Sequence, residues 1–260
     1  MKVISLGWGV QSWTLAAMVA LGELEPVDYA VHSDTTWEMS YTYEFAKQWT
    51  PWLEERGVKV VTLNGDHPII NKWGKTYPSF YTFNKGENAQ MFRQCTHNWK
   101  IQPIRRFEAR ILKEHGLKKT PGIIEQWLGI TFDEAFRAKD SDAKYIKHGF
   151  PFLDMGWKRN DCLRWLRDHD LPSPSKSSCT FCMYHNKKLW ENIKRENGAD
   201  WQQAVDIDTL IRNVCPPEPL FVHPARVPLP DAVKIPEDEG YVQPELFDTS
   251  DVCDSGYCFL

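Results

Sequence analysis

Four cysteines have the residue type and spacing to act as soft metal ligands or as nucleophiles. Cys179 and Cys182 form a Cys-x-x-Cys pair, which can place two thiolates on one metal ion or cluster from a single turn. The same spacing also suits a redox dithiol. With Cys95 and Cys162 the pair supplies four thiols, the number that closes a [4Fe–4S] or a zinc site. The residues alone leave an iron–sulfur cluster, a zinc site and metal-free thiols open.

A buried cysteine is commonly a small apolar side chain, and Cys162, at the start of an amphipathic segment, is the most open to that interpretation. His97 and His185 are the substitute ligands in that case. The chain has seven cysteines and shows no secretion signal, so we expect a cytoplasmic protein with metal or redox chemistry rather than structural disulfides.

A glycine turn near residue 10 has the form of an anion-binding site. A short apolar run at Val3 and Ile4 leads into Gly7-Trp8-Gly9-Val10-Gln11-Ser12, and an apolar helical segment follows at once. Glycine lets the backbone approach a ligand closely, and the first turn of a helix offers free N–H groups to an anion. The spacing is neither that of a P-loop nor Gly-x-Gly-x-x-Gly. A tight strand–helix turn without a ligand is the alternative interpretation.

Two further cysteines, Cys253 and Cys258, flank a glycine in an acidic segment. Eight prolines between residues 216 and 244 indicate an extended arm rather than a domain. A thiol on such an arm could attack a bound sulfonyl or persulfide sulfur and then be resolved by its neighbour. The alternative is a tail with incidental thiols.

The elements that position these residues read as strand, helix, strand, helix and strand. Apolar runs predict strands at residues 28–34 and 58–63, with a helix over about 41–56 between them. This alternation predicts an α/β fold with a parallel twisted sheet. Ligands of such sheets bind at the carboxyl ends of the strands, where the glycine turn and Asp34-Thr35 both fall. A helix N-cap is the alternative role for Asp34.

Charge is distributed unevenly along the 260 residues. Residues 93–119 carry eight Lys or Arg and two acidic residues, whereas residues 231–254 carry eight acidic residues and one Lys. The chain has a formal net charge of −4, and residues 231–254 account for −7 of it. The rest of the chain, which we call the body, therefore has a net charge of about +3, which favours binding of an anionic nucleotide or nucleic acid. A solvated basic helix face is the alternative. No run of 18 apolar residues occurs, so we expect no membrane span.

The glycine turn resembles the pyrophosphate loop of the adenine-nucleotide alpha-hydrolase superfamily, the PP-loop enzymes, whose usual form is Ser-Gly-Gly-x-Asp-Ser. Gly7, Trp8 and Gln11 replace the first Ser, the first Gly and the Asp of that form. The variant is similar to the branch related to phosphoadenosine phosphosulfate (PAPS) reductase. Asp34-Thr-Thr-Trp-Glu38 is similar to a segment that lies beside the nucleotide in this family.

Further segments resemble PAPS-reductase-like proteins of bacterial and phage genomes over roughly residues 1–215 and again at the extreme C-terminus. These are the segments Cys95 to Pro103, Gly129 to Arg137, Asp161-Cys162 and Cys179 to Cys182, with Trp190 and Trp201 behind them. The resemblance implies a Rossmann-like nucleotide domain over residues 1–130 and a small helical, cysteine-bearing region over 131–215. Residues 216–260 form the proline-rich acidic arm. Relatives with a similar cysteine set carry iron–sulfur clusters, so the resemblance implies an iron–sulfur cluster here, with zinc and metal-free thiols as the alternatives.

The resemblance also implies roles for individual residues. The Gly7–Ser12 turn would hold the phosphates of ATP or PAPS, and Asp34 would lie near the adenosine or a magnesium ion. Anionic oxygens would be neutralised by four cations: Lys100, Arg105, Arg106 and Arg137.

The implied function is an adenine-nucleotide-dependent enzyme of sulfur metabolism. Two reactions stay open: ATP-driven thiolation of a substrate, and thiol-dependent reduction of PAPS with Cys253 or Cys258 as the thiol. The acceptor or donor could be a nucleic acid, or a sulfur-donor or reductant protein. The alternative is a non-catalytic nucleotide-binding subunit of a larger nucleic-acid-modification or defence assembly.

Overall fold

The structure, a computed structural model, describes residues 1–65, 67–196, 198–214 and 217–234. Cys253 and Cys258 lie outside these described residues, as do Cys215 and residues 235–260 of the expected arm. The helices of the described residues all stay short of a membrane-crossing length of apolar chain.

The strands of the described residues are β1 (Lys2–Ser5), β2 (Tyr29–Asp34), β3 (Val60–Asn64), β4 (Tyr81–Asn84), β5 (Glu87–Gln90), β6 (Ile124–Trp127) and β7 (Ile146–Gly149). The centre of the fold is a parallel five-stranded sheet with the order β3-β2-β1-β6-β7. β4 and β5 form a separate antiparallel hairpin. The parallel α/β sheet expected from the sequence is confirmed, and β2 and β3 lie within one or two residues of the predicted strands.

Helices flank the sheet on both faces. Those described are α1 (Val10–Ala20), α2 (Ser40–Glu54), α3 (Gln102–Glu114), α4 (Pro151–Asp154), α5 (Arg159–Asp168), α6 (Lys187–Glu196), α7 (Ala199–Ile211) and α8 (Leu229–Ala232). A π-helix (Thr96–Ile101) runs directly into α3, and a 3₁₀ helix (Phe132–Arg137) follows β6. The Ser33 hydroxyl donates to the Trp99 carbonyl at 2.6 Å, which ties the π-helix to β2.

Two cores hold the helices against the sheet, and the alternation of strand residues assigns each side chain to one of them. Ile4 and Ala30 belong to the core under α1, α2 and α5. Their neighbours Val3 and Val31 point the other way and pack against α3. This two-residue period is the geometry of a strand that is buried on both faces.

A third core lies beside the sheet and supports the cysteine-bearing segment. α6 and α7 pack their buried Trp190, Trp201 and Ile207 against Phe80 and Trp99. The segment that carries Cys179 and Cys182 is joined to the loop after β2 by an isolated bridge between Glu38 and Cys179. The fold therefore brings the thiols to the same end of the sheet as the glycine turn.

Candidate functional site

A cleft that is open to solvent lies at the carboxyl ends of the central strands. At this place β1 has β2 on one side and β6 on the other, so the order of the strands reverses. Ligands of open parallel sheets bind at such a reversal. The cleft is lined by Ser5, Gly7, Gly9, Val10, Gln11, Ser12, Lys100, Leu128, Gly129, Ile130, Glu134, Arg137, Arg159, Ser175, Lys176 and Ser177.

The glycine turn presents backbone to this cleft. Trp8 adopts a positive φ of 55°, and its side chain is 1% exposed and stacks on Trp13 with ring centroids 6.2 Å apart. Gly9 is the N-cap of α1, and the first turn of the helix holds no acidic residue. The N–H groups of that turn lack intrahelical acceptors, so they can serve an anion.

Ser12 and Gly129 complete the turn. The Ser12 hydroxyl accepts from the Gly7 amide at 3.1 Å and donates to the Gly9 carbonyl at 3.2 Å. Gly129 follows β6, and a Cβ there would lie 2.9 Å from the Ser12 nitrogen and 3.0 Å from the Gln11 carbonyl carbon. Two backbone segments therefore pass so closely that only glycine fits at this position.

Four cations line the cleft, and two of them are already paired. Lys100 Nζ lies 3.3 Å from Glu38, and Arg137 pairs with the buried Glu134 at 2.7 Å. Arg159 donates to the Gln11 side-chain oxygen at 3.2 Å. Within the described part of the chain, neither Arg159 nor Lys176 has a carboxylate partner. The cleft thus carries excess positive charge.

Glu38 is the buried counter-charge of Lys100. Its carboxylate is 3% exposed, accepts from the Ser177 hydroxyl at 2.9 Å and lies 3.5 Å from the Thr35 hydroxyl. Burial alone would raise the pKa of Glu38, but Lys100, His32 and Ser177 outweigh it and hold the pKa below its usual range. Burial lowers the pKa of His32, so Glu38 and Lys100 form the charged pair at neutral pH.

A second pocket, which we call the thiol pocket, lies on the other side of Lys100. Cys95, Cys179 and Cys182 all line it, together with Thr35 and Lys100 itself. The Thr35 hydroxyl lies 3.4 Å from Cys179 Sγ. Burial raises the pKa of both Cys179 and Cys182, so these groups are neutral thiols at pH 7. Lys100 is the side chain shared by the cleft at the glycine turn and the thiol pocket.

The fourth expected ligand, Cys162, is not in this pocket. It is fully buried in α5, in the core that contains α1, and burial raises the pKa of its thiol to about 12. Over the residues that the structure describes, no set of three or more His, Cys, Asp or Glu side chains is arranged to hold a metal ion. Three of the four cysteines share a pocket, but the four are not assembled.

Neither histidine replaces Cys162. His97 lies on the exposed side of the π-helix, where Nε2 contacts the Gln102 amide at 2.8 Å. His185 follows Cys182 but packs its ring on Trp190, 4.6 Å between centroids, and Nε2 contacts the Ser178 hydroxyl at 3.1 Å. Burial lowers the pKa of His185 to about 3, so it is a neutral packing residue.

The remaining candidates lie around the cleft rather than in it. Asp34 faces a separate cavity beside α2, and its carboxylate accepts from the Thr36 amide at 2.7 Å and the Tyr43 hydroxyl at 2.8 Å. Arg105 pairs with Asp142 on the surface, and Arg106 lines a further cleft beyond β3. Of the predicted turn, Trp8 contributes its backbone conformation and not its side chain.

Sequence reasoning did not single out Arg159, Lys176 or Ser177, which the fold brings to the cleft from distant segments. Arg159 opens α5, and Lys176 and Ser177 lie just before the Cys-x-x-Cys pair. The one available signal was the Ser-Pro-Ser-Lys-Ser-Ser run itself, whose polar residues had no helical or strand pattern to explain them.

Comparison with known proteins gives little further guidance. No family model and no curated protein sequence matches the chain. Among solved structures the chain is similar to a PAPS reductase from Candida auris, crystallised as a phosphate complex. The two are 13% identical with a TM-score of 0.42, and the match covers 66% of this chain and 74% of that one. A TM-score this low does not show that two chains share a fold. The α/β assignment of this chain therefore rests on its own sheet order.

Proposed function

We propose that this chain is a PP-loop enzyme of the PAPS-reductase-like type, which binds an adenine nucleotide and uses it in sulfur chemistry. One observation carries the proposal. A cleft with a helix N-terminus and four cations lies next to a pocket with three thiols, and Lys100 lines both. Such a neighbourhood would bring together a substrate that carries an anionic leaving group and a thiol that attacks that substrate.

Different residues of the cleft would bind different anionic groups of the nucleotide. The N–H groups of the first turn of α1 would hold one phosphate, because their positions are fixed by Trp8 and Gly129. Arg159 and Lys176 would supply the charge for further phosphate or sulfate oxygens, since no carboxylate of the described residues offsets them. Lys100 would stabilise negative charge that develops on the side of the thiols.

The three-thiol pocket supports thiol chemistry more directly than it supports a four-cysteine cluster. Cys162 packs in another core, and the described residues offer no ready metal-ligand set. The described residues therefore do not present the four-thiolate site that was expected, because Cys162 lies apart from the other three thiols. Iron, sulfide and zinc analysis of anaerobically purified protein tests this directly, and a stoichiometric [4Fe–4S] centre would restore the iron–sulfur hypothesis with Cys95, Cys179 and Cys182 as its ligands.

The sharpest test of the nucleotide site is Gly9→Ala. Gly9 has an extended backbone with φ of −87°, and a Cβ would meet only Ser177 Cβ at 3.9 Å, an ordinary contact. The variant should therefore fold normally and still lose affinity for ATP or PAPS, because the methyl group occupies phosphate space. Calorimetry should show roughly a tenfold or greater loss, about 1.4 kcal/mol. Unchanged affinity in the folded variant would place the nucleotide elsewhere.

Arg159→Gln provides a second test with a matched control on the same helix. Arg164 also lies in α5, but it is 61% exposed and pairs with Asp161 outside the cleft. Arg159→Gln should weaken nucleotide binding, whereas Arg164→Gln should not. Pyrophosphate release from ATP, or sulfite release from PAPS with a thiol reductant, then distinguishes the two reactions. A protein that binds nucleotide and releases neither product would be a binding subunit.

A further inference from the structure

A second cleft, beyond the edge of the sheet at β3, has no part in the function proposed above. It is open to solvent and lies between the end of β3, the loop that follows it, the π-helix and the start of α3. Five of its lining residues supply aromatic rings or guanidinium groups: His67, Tyr77, Trp99, Arg106 and Arg110.

Aromatic rings form one wall of this cleft. His67 stacks on Trp99 with centroids 5.7 Å apart and planes 29° apart, and Tyr77 lies 6.3 Å from Trp99. Trp99 is 2% exposed and anchors the group, while His67 and Tyr77 are only half-buried. The backbone of the loop after β3 is held in place at His67, because the Trp37 indole donates to the His67 carbonyl at 2.8 Å. A flat ring can therefore lie against a wall that is already in place.

Two guanidinium groups face the same space. Arg106 and Arg110 lie one helical turn apart on α3, and both are exposed. In the described residues Arg106 has no ion pair, and Arg110 has a loose one with Glu114 at 3.7 Å, both side chains being 62% exposed. None of the described lining residues is acidic, and Asp66 lies outside the described residues. Paired guanidiniums at this spacing suit phosphate oxygens.

A stacking surface continues from the cleft along a neighbouring hairpin. The chain leaves the cleft at His67, turns through the bridge between Ile70 and Thr76, and returns at Tyr77. Trp73 stands at the tip, 72% exposed, with the Lys72 ammonium 4.6 Å from its ring centroid. An exposed indole beside a lysine is the combination that unpaired bases and their phosphates use on single-strand-binding surfaces.

We propose that this cleft and the Trp73 hairpin bind a single-stranded nucleic acid. One base lies against His67 and Tyr77, its phosphate is held by Arg106 and Arg110, and a neighbouring base stacks on Trp73. A duplex cannot use the ring wall, because its bases are stacked and paired inside the helix. Trp99 lines both this cleft and the thiol pocket, so, if the proposed function holds, the bound strand lies one side chain away from the thiols.

The test measures fluorescence anisotropy of labelled single-stranded DNA and RNA oligonucleotides of mixed sequence, with a duplex of the same sequence as comparison. Wild-type protein should bind the single strands more tightly than the duplex, and binding should weaken between about 50 mM and about 200 mM salt. The double variant Arg106→Gln, Arg110→Gln should lose roughly tenfold in affinity, and its salt dependence should fall by about 0.7 in log–log slope, which is the value for the one phosphate that both side chains hold.

Two control variants and one further variant of the surface show whether the strand binds at this place. Lys113→Gln removes an exposed cation from the same helix outside the cleft and should change the affinity little. Trp73→Ala, at an exposed position that tolerates substitution, should weaken binding of the strand by roughly tenfold. Gly9→Ala should leave strand binding intact, because Gly9 lines the other cleft. The strand proposal and the nucleotide proposal can therefore fail independently. Equal binding by the double variant and Lys113→Gln, or no single-strand binding at about 50 mM salt, overturns the proposal.

Discussion

Lys100 is the residue on which the chemistry of the candidate site converges. Its ammonium is shared between a buried carboxylate, a cleft suited to phosphates and a pocket of thiols. Glu38 neutralises it in the free protein, and the Ser177 hydroxyl holds Glu38 in place. An anion that enters the cleft therefore competes with Glu38 for the same positive charge.

Glu38→Gln should increase the affinity of the cleft for phosphate, pyrophosphate or nucleotide by roughly threefold to tenfold, about 1 kcal/mol. Glutamine keeps the shape and can still accept from Lys100, but it no longer offsets the ammonium charge. Calorimetry with the three anions checks the sign, and Lys100→Met is the opposing variant, expected to lose affinity. If Glu38→Gln lowered affinity as much as Lys100→Met does, Glu38 would be needed to position Lys100.

Glu108 is a buried acid outside the candidate site. It is fully buried in α3, neither carboxylate oxygen has a hydrogen-bond partner among the described residues, and burial raises its pKa to about 8 despite the nearby Arg105. The folded protein therefore holds a proton that the unfolded chain, with a pKa near 4.5, has released. The contribution of Glu108 to the free energy of unfolding has its full value below about pH 4.5 and decreases as the pH rises to about 8.

Glu108→Gln should remove this pH dependence. Between pH 5.5 and 7.5, wild-type stability should fall relative to the variant by up to about 1.4 kcal/mol per pH unit. Urea unfolding at the two pH values measures the difference. Glu114→Gln, at the exposed end of the same helix, is the control and should follow the wild type. Parallel pH profiles for wild type and Glu108→Gln would show that Glu108 ionises normally in the fold.

At the scale of elements, the site depends on how closely the segment after β6 approaches the turn before α1. Gly129→Ala would press a methyl group against the backbone of Gln11 and Ser12, which no side-chain rotation relieves. We expect a loss of about 1–3 kcal/mol in unfolding free energy, together with weaker nucleotide binding. Gly9→Ala should lose only the binding. A Gly129→Ala protein with normal stability and affinity would show that the turn adjusts freely.

The elements that could be predicted from the sequence are those with strong local patterns. The strand–turn–helix around Gly7, the strand ending at Asp34 and the strand after it follow from apolar periodicity and glycine placement, and the parallel sheet follows from their alternation. The position of Cys162 could not be predicted, because an amphipathic helix shows which face is buried but not against which element. Arg159 and Lys176 reach the cleft through long-range packing that no local pattern records.

At the scale of the whole molecule, charge is divided between the body and residues 231–254. That segment carries a net charge of −7 in the sequence and leaves a body of about +3, so the two attract each other at low salt. Most of the segment lies outside the described residues, and its contacts stay a prediction. We predict that it delivers Cys253 or Cys258 to the nucleotide cleft.

Truncation after Asp251 distinguishes a catalytic tail from a cover. If the tail thiols react with the substrate, the truncated protein should bind nucleotide with normal affinity and lose turnover, measured as pyrophosphate or sulfite release. The double variant Cys253→Ser, Cys258→Ser keeps the charge of the segment and removes only the sulfur, so it should behave in the same way. Normal turnover by the double variant would assign the reacting sulfur to Cys95, Cys179 or Cys182, the thiols that lie beside Lys100.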